Sequence, residues 1–307
     1  MHGEMTALIS VIAFGLSYIF VNKAQTEGKT SDNGLLPVLV VSTVVLILAF
    51  LVDLLRSPVK FHIGPEWRMP ILYCILAGVS WNFISRMTLL ASIYHIGATR
   101  GIVIKSAAPM MTVAMAVVFF GERLDIGDIF GLILMFLSAA LLVIERTKVN
   151  QRSWLPKYVV QGILLGLISA LFQSIGHVLR KIGAGVVPPL LGATLDMTVA
   201  TLAYILYLVW TKRLMYHARF YLRHPSHYVL TASFLSAVGV LTSFVSIASS
   251  SISTVAMILG MQPVIMPLLS SICFPGLEKF TWICYLATAL AVCGAISIIM
   301  YGPMRFI

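Results

Sequence analysis

The stretch SIYHIGATRGIVIKSAAP at residues 92–109 returns in altered form as SIASSSISTVAMILGMQP at residues 246–263. Both copies open with Ser-Ile and close on a proline, Pro109 in the first and Pro263 in the second. The shift between the copies is 154 residues, the difference between 263 and 109, which is about half of the 307-residue chain. The sequence therefore contains two related units in tandem.

Each unit holds an odd number of apolar segments, so the second unit enters the membrane from the opposite face. We place the two units at residues 1–150 and 151–307. Two inverted copies around a shared midplane are typical of secondary transporters. We predict an all-α integral membrane protein with ten transmembrane helices in two inverted five-helix repeats around a central cavity.

Ten apolar segments are each long enough to cross a hydrocarbon core of about 30 Å. They lie at residues 5–22, 35–55, 70–94, 98–120, 126–145, 158–179, 188–210, 228–248, 252–273 and 280–301. Most connections are short, but residues 56–69 and 211–227 form longer loops at equivalent places in the two halves. The first segment follows Glu4 rather than a basic cluster, so we interpret it as a mature helix and not a signal peptide.

The composition is that of a membrane protein. The chain is 59% hydrophobic and 10% charged, with a mean hydropathy of +0.97, whereas soluble domains average about 25% charged residues. Lys and Arg outnumber Asp and Glu by 21 to 11. They cluster in the loops, which indicates membrane orientation and contact with anionic lipids rather than nucleic-acid binding.

The segment from Ala91 to Val143 reads ASIYHIGATRGIVIKSAAPMMTVAMAVVFFGERLDIGDIFGLILMFLSAALLV. It resembles the EamA repeat of the drug/metabolite transporter superfamily, which has a mid-helix proline, a terminal Gly-Glu and then a glycine-bearing helix. The matching positions are Pro109, Gly121, Glu122 and Gly131. The second half keeps Pro263 and Gly294 but departs at the Gly-Glu. The resemblance covers the chain at the level of architecture and implies ten helices around a central cavity.

Three positions are predicted to break helices or to gate the cavity: Pro109, Pro263 and Glu122. A proline frees a carbonyl one turn earlier, and irregular backbone is tolerated in a membrane where it lines a cavity. The alternative for the second proline is a simple packing kink. Glu122 lies at the membrane edge, so we assign it to the turn or gate rather than to solute contact.

Ionisable side chains inside a bilayer cost about 2.5–3.5 kcal/mol on insertion scales, so they need partners or water. Three stand out because they lie well inside their apolar segments: Arg86, Lys105 and Asp196. Counted at a rise of 1.5 Å per residue, Arg86 and Asp196 lie at depths in the bilayer that one side chain can span. The two side chains can therefore meet or share a substrate. The alternatives are a structural ion pair between those two residues and snorkelling of Lys105 to the headgroups.

Polar and aromatic residues near these charges complete the predicted substrate site: Trp81, Asn82, Gln173, His177 and Gln262. Asn82 lies one turn before Arg86, and Gln173 and His177 lie one turn apart on the sixth segment. His177 has a reference pKa near neutrality and is a candidate proton carrier. The alternative is a packed, hydrogen-bonded histidine.

This mixture of side chains fits a small zwitterion or organic anion, such as an amino acid, with a carboxylate near Arg86 and Lys105 and an amine near Asp196. We predict a secondary-active exporter or exchanger that works by alternating access. The alternatives are a flippase for a lipid or lipid-linked solute and an intramembrane assembly partner without transport. The sequence lacks a Ser/His/Asp set, HExxH and a phosphate-binding loop, so we expect no enzymatic activity, cofactor or metal.

Small residues spaced by four predict close helix packing within the chain, with a homodimer as the alternative to a monomer.

The orientation of the protein in the membrane is open, because two signals disagree. The loops on the face opposite the termini carry more Lys and Arg, which places that face in the cytoplasm. The superfamily resemblance implies cytoplasmic termini, and we follow it for a protein of the inner membrane. We assign four loops to the same face as the termini: 56–69, 121–126, 180–187 and 249–251. The third of these contains Arg180 and Lys181.

Overall fold

Helices are the regular elements of the described part of the chain. The computed structural model describes residues 2–56, 65–96, 98–105, 107–121, 126–149 and 156–274, with positions 282, 283, 286, 289, 290, 293, 294 and 297. The helices are α1 His2–Thr26, α2 Leu35–Arg56, α3 Arg68–Ala77, α4 Arg86–Ile96, α5 Ala98–Lys105, α6 Ala107–Phe120, α7 Ile126–Val149, α8 Pro156–Ala184, α9 Pro189–Trp210, α10 Leu214–Arg223, α11 His227–Ser249, α12 Ile252–Leu259 and α13 Gln262–Cys273. A 3₁₀ turn, Pro65–Trp67, precedes α3, and a π-helical segment, Gly78–Ser85, joins α3 to α4.

Six helical stretches in the described residues are long and apolar enough to cross a membrane. They are Gly3–Thr26, Leu35–Arg56, Arg68–Ile96, Val160–Ala184, Pro189–Trp210 and His227–Ser249. These correspond to the first, second, third, sixth, seventh and eighth predicted segments. The fourth segment contains α5 and α6 and the ninth contains α12 and α13, all of them shorter, whereas the fifth contains α7, which has 24 residues. Most of the tenth lies outside the described residues. The predicted fold class, a ten-helix membrane protein in two repeats, is confirmed.

The connection predicted at residues 211–227 contains a helix, α10, which corrects the assignment of this segment as a loop. Helix α9 ends in a reversal at Lys212, whose φ is +55°. The amide of Lys212 donates to the carbonyl of Val209 at 3.0 Å, and that of Arg213 to Leu208 at 2.9 Å. This pair of bonds is a Schellman motif, which satisfies the last carbonyls of α9 and turns the chain into α10.

The π-helical segment lets α3 approach α9 closely. A Cβ added at Gly78 would lie 2.3 Å from the carbonyl oxygen of Asp196, which is a backbone atom and cannot move aside easily. Only glycine fits at this crossing. The wider π turn directs Trp81 and Asn82 into the protein interior, where both are buried. Such segments interrupt α-helices mostly at functional sites.

The ninth predicted segment is interrupted in the middle. The hydroxyl of Ser251 accepts from the amide of Thr254 at 3.1 Å and caps α12. Helix α12 ends at Leu259, and α13 begins at Gln262 with Pro263 in its first turn. Proline is favoured there because the first amides of a helix lack partners. The predicted break at Pro263 therefore separates two helices and is more than a kink.

The two halves pack across one another. Helix α1 runs along α11, and α8 contacts α3, α4 and α6. Hydroxyl groups bridge the halves: Ser10 donates to the carbonyl of Gly239 at 2.9 Å, and Ser42 donates to that of Ser233 at 2.6 Å. Small residues and interhelical hydrogen bonds hold membrane helices together where no water drives association.

Two glycines of the predicted four-residue stripe act at this interface between the halves. A Cβ on Gly162 would lie 2.6 Å from Cγ2 of Ile96, and one on Gly166 would lie 2.8 Å from Cγ2 of Ile104. Glycine therefore lets α8 approach α4 and α5 closely.

Candidate functional site

A buried ion pair joins α8 to α9. Nε of Arg180 donates to Oδ2 of Asp196 at 2.6 Å, and both side chains are fully buried. The side-chain amide of Asn82, on the π-helical segment, donates to Oδ1 of the same carboxylate at 2.6 Å. Both oxygens of Asp196 are therefore occupied by protein donors.

The guanidinium of Arg180 lies between two aromatic rings. Its central carbon is 3.4 Å from the ring centre of Trp81 and 4.6 Å from that of Phe244. Cations over aromatic faces gain about 2 kcal/mol or more when water is excluded. Nη1 also donates to the hydroxyl of Ser243 at 3.4 Å. Residues of α9, α11 and the π-helical segment therefore contact this side chain of α8.

This arrangement corrects two sequence-based assignments. The sequence pattern places Arg180 in a loop, but α8 continues to Ala184 and carries it inside the protein. The expected partner of Asp196 was Arg86, whereas the observed partner is Arg180. The predicted amine site at Asp196 is likewise already filled by donors from the protein.

Arg86 is a buried cation with free donors. Its side chain is 2% exposed. Nη1 donates to the hydroxyl of Ser236 at 2.5 Å, and the guanidinium lies 5.6 Å from the ring centre of Phe14. Nε and Nη2 have no hydrogen-bond partner among the described residues. These two nitrogens form one edge of the guanidinium, the edge that binds a carboxylate through two parallel hydrogen bonds.

Lys105 lies inside the protein rather than at the headgroups. It is 4% exposed, and its Nζ donates to the hydroxyl of Tyr18 at 3.2 Å while lying 4.9 Å from that ring centre. Tyr18 stacks on Phe14 one turn earlier, with ring centres 6.3 Å apart. Helix α1 thus places one aromatic ring beside each of the two cations, Arg86 and Lys105.

A small cavity brings four of the predicted residues together. It has a volume of about 10 Å³, enough for about one water molecule. Its lining comprises Ile102, Lys105, Pro109, Gln173, Leu259, Gly260 and Gln262. The break between α12 and α13 therefore lies against the cavity, as expected for irregular backbone at membrane depth.

The remaining predicted residues surround these groups. The ring of His177 meets that of Trp81 edge-on, with centres 4.5 Å apart. Within the described residues, Nε2 of His177 and Oε1 of Gln173 lack hydrogen-bond partners although both side chains are buried. Glu122 lies outside the described residues.

Sequence analysis missed several side chains that complete the site: Phe14, Tyr18, Arg180, Ser236, Ser243 and Phe244. Arg180 carried a usable signal, since it follows His177 by three residues and Gln173 by seven, on one helical face. The serines and aromatic residues carried none, because such residues are common in any membrane helix.

Known proteins that resemble this chain show its family. A profile of the EamA-like transporter family matches residues 1–144 and 160–300. The chain belongs to the EamA-like transporter family. A search of curated proteins gives no match. A solved structure described only as "Crystal structure of protein" is similar to this EamA-like chain over 98% of both chains, with a TM-score of 0.67 and 18% identity. At that identity the likeness shows the fold alone.

The described interior of this EamA-like transporter has an excess of positive charge. Its buried charged side chains are Arg86, Lys105, Arg180 and Asp196. The single carboxylate is used by Arg180, so the other two cations have no acidic partner within hydrogen-bonding distance among the described residues. Burial of an uncompensated charge is costly, and arginine does not lose its proton in proteins. The arrangement is suited to an anion that enters from solution.

We predict that the Arg180–Asp196 pair is structural. Asp196→Asn or Arg180→Gln should lower the free energy of unfolding by about 3–5 kcal/mol, because each leaves one buried charge without its partner. Reversible unfolding in mixed micelles measures this change. Lys29→Gln serves as the control, because it breaks a partly exposed pair with Glu27 and a contact with the ring of Tyr228, and it should lower stability by no more than about 1–2 kcal/mol. Loss of transport at unchanged stability in the Asp196 variant would instead assign the pair to solute binding.

Proposed function

We propose that this EamA-like membrane transporter carries a small organic anion or zwitterion whose carboxylate binds Arg86. The observation that supports this most directly is the Nε and Nη2 edge of a buried guanidinium, which has no hydrogen-bond partner among the described residues. A charge-assisted, bidentate contact with a carboxylate would satisfy both donors and compensate the charge. Lys105, which also lacks an acidic partner among the described residues, adds to the attraction for anions.

The same contacts favour an anionic group over an amine as the main recognition element. Asp196 is the buried carboxylate of the described interior, and Arg180 and Asn82 already donate to both of its oxygens. A cationic group of a substrate would have to displace one of them. Trp81 stacks on Arg180, and one atom each of His177 and Gln173 has no hydrogen-bond partner in the described part of the chain. These three side chains are therefore the candidates for contact with the rest of the solute.

Arg86→Gln should reduce uptake of carboxylate solutes at least about tenfold, since hydrogen bonds to charged groups contribute about 1.5–3 kcal/mol. Stability should be unchanged or higher, because the substitution removes an uncompensated buried charge. A thermal-shift screen of mono- and dicarboxylates, amino acids and quaternary ammonium ions identifies the solute. Flux into proteoliposomes, with and without solute on the opposite side, then measures transport and separates export from exchange.

Two further variants control this test. Arg68→Gln removes an exposed arginine at the start of α3 and should transport normally. Arg86→Lys keeps the charge but loses the planar fork, so it should retain part of the activity. Normal transport by Arg86→Gln, together with lower stability, would show that Arg86 has a structural role.

We propose that transport proceeds by alternating access, with residues 1–150 and 151–307 as the two units that rearrange around the cavity. Helices α6 and α12, one from each unit, contact one another through Val113 and Met257. The break that separates α12 from α13 lies beside the same cavity. Movement at this contact would open the cavity to one face of the membrane.

A disulfide between Val113→Cys and Met257→Cys should therefore stop flux while leaving solute binding measurable by thermal shift. The four native cysteines are replaced by serine first, so that one disulfide can form. Reduction should restore flux, and each single-cysteine variant should transport normally under oxidising conditions. Undiminished flux through the oxidised protein would contradict alternating access at this contact.

We propose an inner-membrane location with both termini in the cytoplasm, as the superfamily resemblance implies. In this arrangement the turn between α1 and α2 faces outward and the start of α3 faces the cytoplasm. In the cysteine-free background, Lys29→Cys should react with an impermeable maleimide added to intact cells, and Arg68→Cys should not. The reverse labelling pattern would place the face opposite the termini in the cytoplasm, as the larger number of Lys and Arg in its loops favours.

A further inference from the structure

Helix α10 presents an outer face on which apolar and cationic side chains alternate. Positions separated by three or four residues share a face of a helix, and the exposed residues of α10 follow that spacing. They are Met215, Tyr216, Arg219, Leu222 and Arg223. Leu222 is 83% exposed and Met215 is 66% exposed. Large aliphatic side chains at that exposure are costly in water and indicate contact with an apolar phase.

The inner face of α10 is fixed to the protein. Tyr221 donates a hydrogen bond to Oδ1 of Asp32, in the turn between α1 and α2, and Tyr204 of α9 donates to Oδ2 at 2.9 Å. Nδ1 of His217 lies 2.9 Å from the hydroxyl of Ser31. Burial, reinforced by the adjacent Asp32, raises the pKa of Tyr221, so its hydroxyl remains a donor. The helix therefore holds its outer face in one orientation.

The position of α10 is that of an interfacial helix. It connects α9 to α11, and both of these are membrane spans, so it lies at one end of the bundle. Trp210, at the end of α9, is 82% exposed. Aromatic side chains of this kind concentrate at the boundary between headgroups and acyl chains.

The charge around this face has one sign. Residues 211–227 include Lys212, Arg213, Arg219 and Arg223 and contain no Asp or Glu. All four cationic side chains are exposed. A helix that combines exposed Arg with Leu, Met and aromatic side chains is suited to lie in the membrane plane, with its apolar groups below the headgroups and its cations among anionic phosphates.

We propose that the outer face of α10 is a binding site for anionic phospholipid, with Arg219 and Arg223 on the headgroup phosphate and Met215 and Leu222 against the acyl chains. The alternation of arginine with aliphatic side chains matches a ligand that is anionic at one end and apolar at the other. A soluble acidic partner would match the arginines and leave Leu222 in water.

The test uses the full-length protein purified in a neutral detergent. Its thermal unfolding is followed while phosphatidylglycerol or phosphatidylcholine of the same acyl chains is added. Phosphatidylglycerol should stabilise the protein at lower concentration, because a ligand that binds the folded state raises its stability. The double variant Arg219→Gln/Arg223→Gln should weaken this apparent affinity by about fivefold for each arginine. Added salt should weaken the wild-type effect more than that of the variant, which keeps Lys212 and Arg213.

Arg68→Gln is the matched control, because it removes an exposed arginine at the opposite end of the bundle and should leave the lipid response unchanged. If the double variant is less stable than wild type in phosphatidylcholine, the two single variants repeat the titration. Equal stabilisation by the two lipids would overturn the proposal. So would an unchanged phosphatidylglycerol response in the arginine variants.

Discussion

The ion pair between Arg180 and Asp196 is the interaction on which the centre of this structure depends. It lies at membrane depth, where a lone charge is costly and a well-placed pair is tolerated. Asn82 completes the hydrogen bonding of the carboxylate, and Trp81 and Phe244 enclose the guanidinium. Four structural elements from both halves therefore meet at one pair of charges.

The close approach of helices around this pair has a geometric cause. The π-helical segment, which begins at Gly78, lies with its backbone against that of α9, so that Asn82 reaches Asp196. A regular α-helix with a larger residue at position 78 could not make this crossing. The π-helical turn and the absence of a side chain at Gly78 thus allow the hydrogen bond from Asn82 to the buried carboxylate of Asp196.

Arg86 differs from Arg180 in the contacts that surround its guanidinium. It is as deeply buried as the paired arginine, yet its described contacts are a hydroxyl and an aromatic ring, and one edge of its guanidinium is free. Arg180 has a carboxylate as its partner, whereas Arg86 has none within hydrogen-bonding distance among the described residues. This difference, rather than the number of charges, separates the structural part of the interior from the part suited to an anion.

Much of the architecture could be predicted from sequence, because membrane helices are encoded locally. A stretch of apolar residues must form a helix in lipid, and the matched stretches ending at Pro109 and Pro263 indicate two copies of one unit. The depth of Arg86 and Asp196 followed from counting residues along their helices, whereas the sequence left Lys105 either in the cavity or at the headgroups. Helix α10 was missed because its arginines lower the average hydropathy of an amphipathic segment.

The sequence by itself determined that the chain is a two-repeat membrane protein and that Arg86 and Asp196 lie within its spans, because both depend on order along the chain. Only the tertiary structure decided which charges meet. Lateral distances between helices arise from packing, so the partner of Asp196 and the free edge of Arg86 have no signature in any single segment. The spacing of Arg180 from Gln173 and His177 indicates that α8 continues to it. The carboxylate that compensates its charge comes from another helix, so the sequence of α8 could not show that partner.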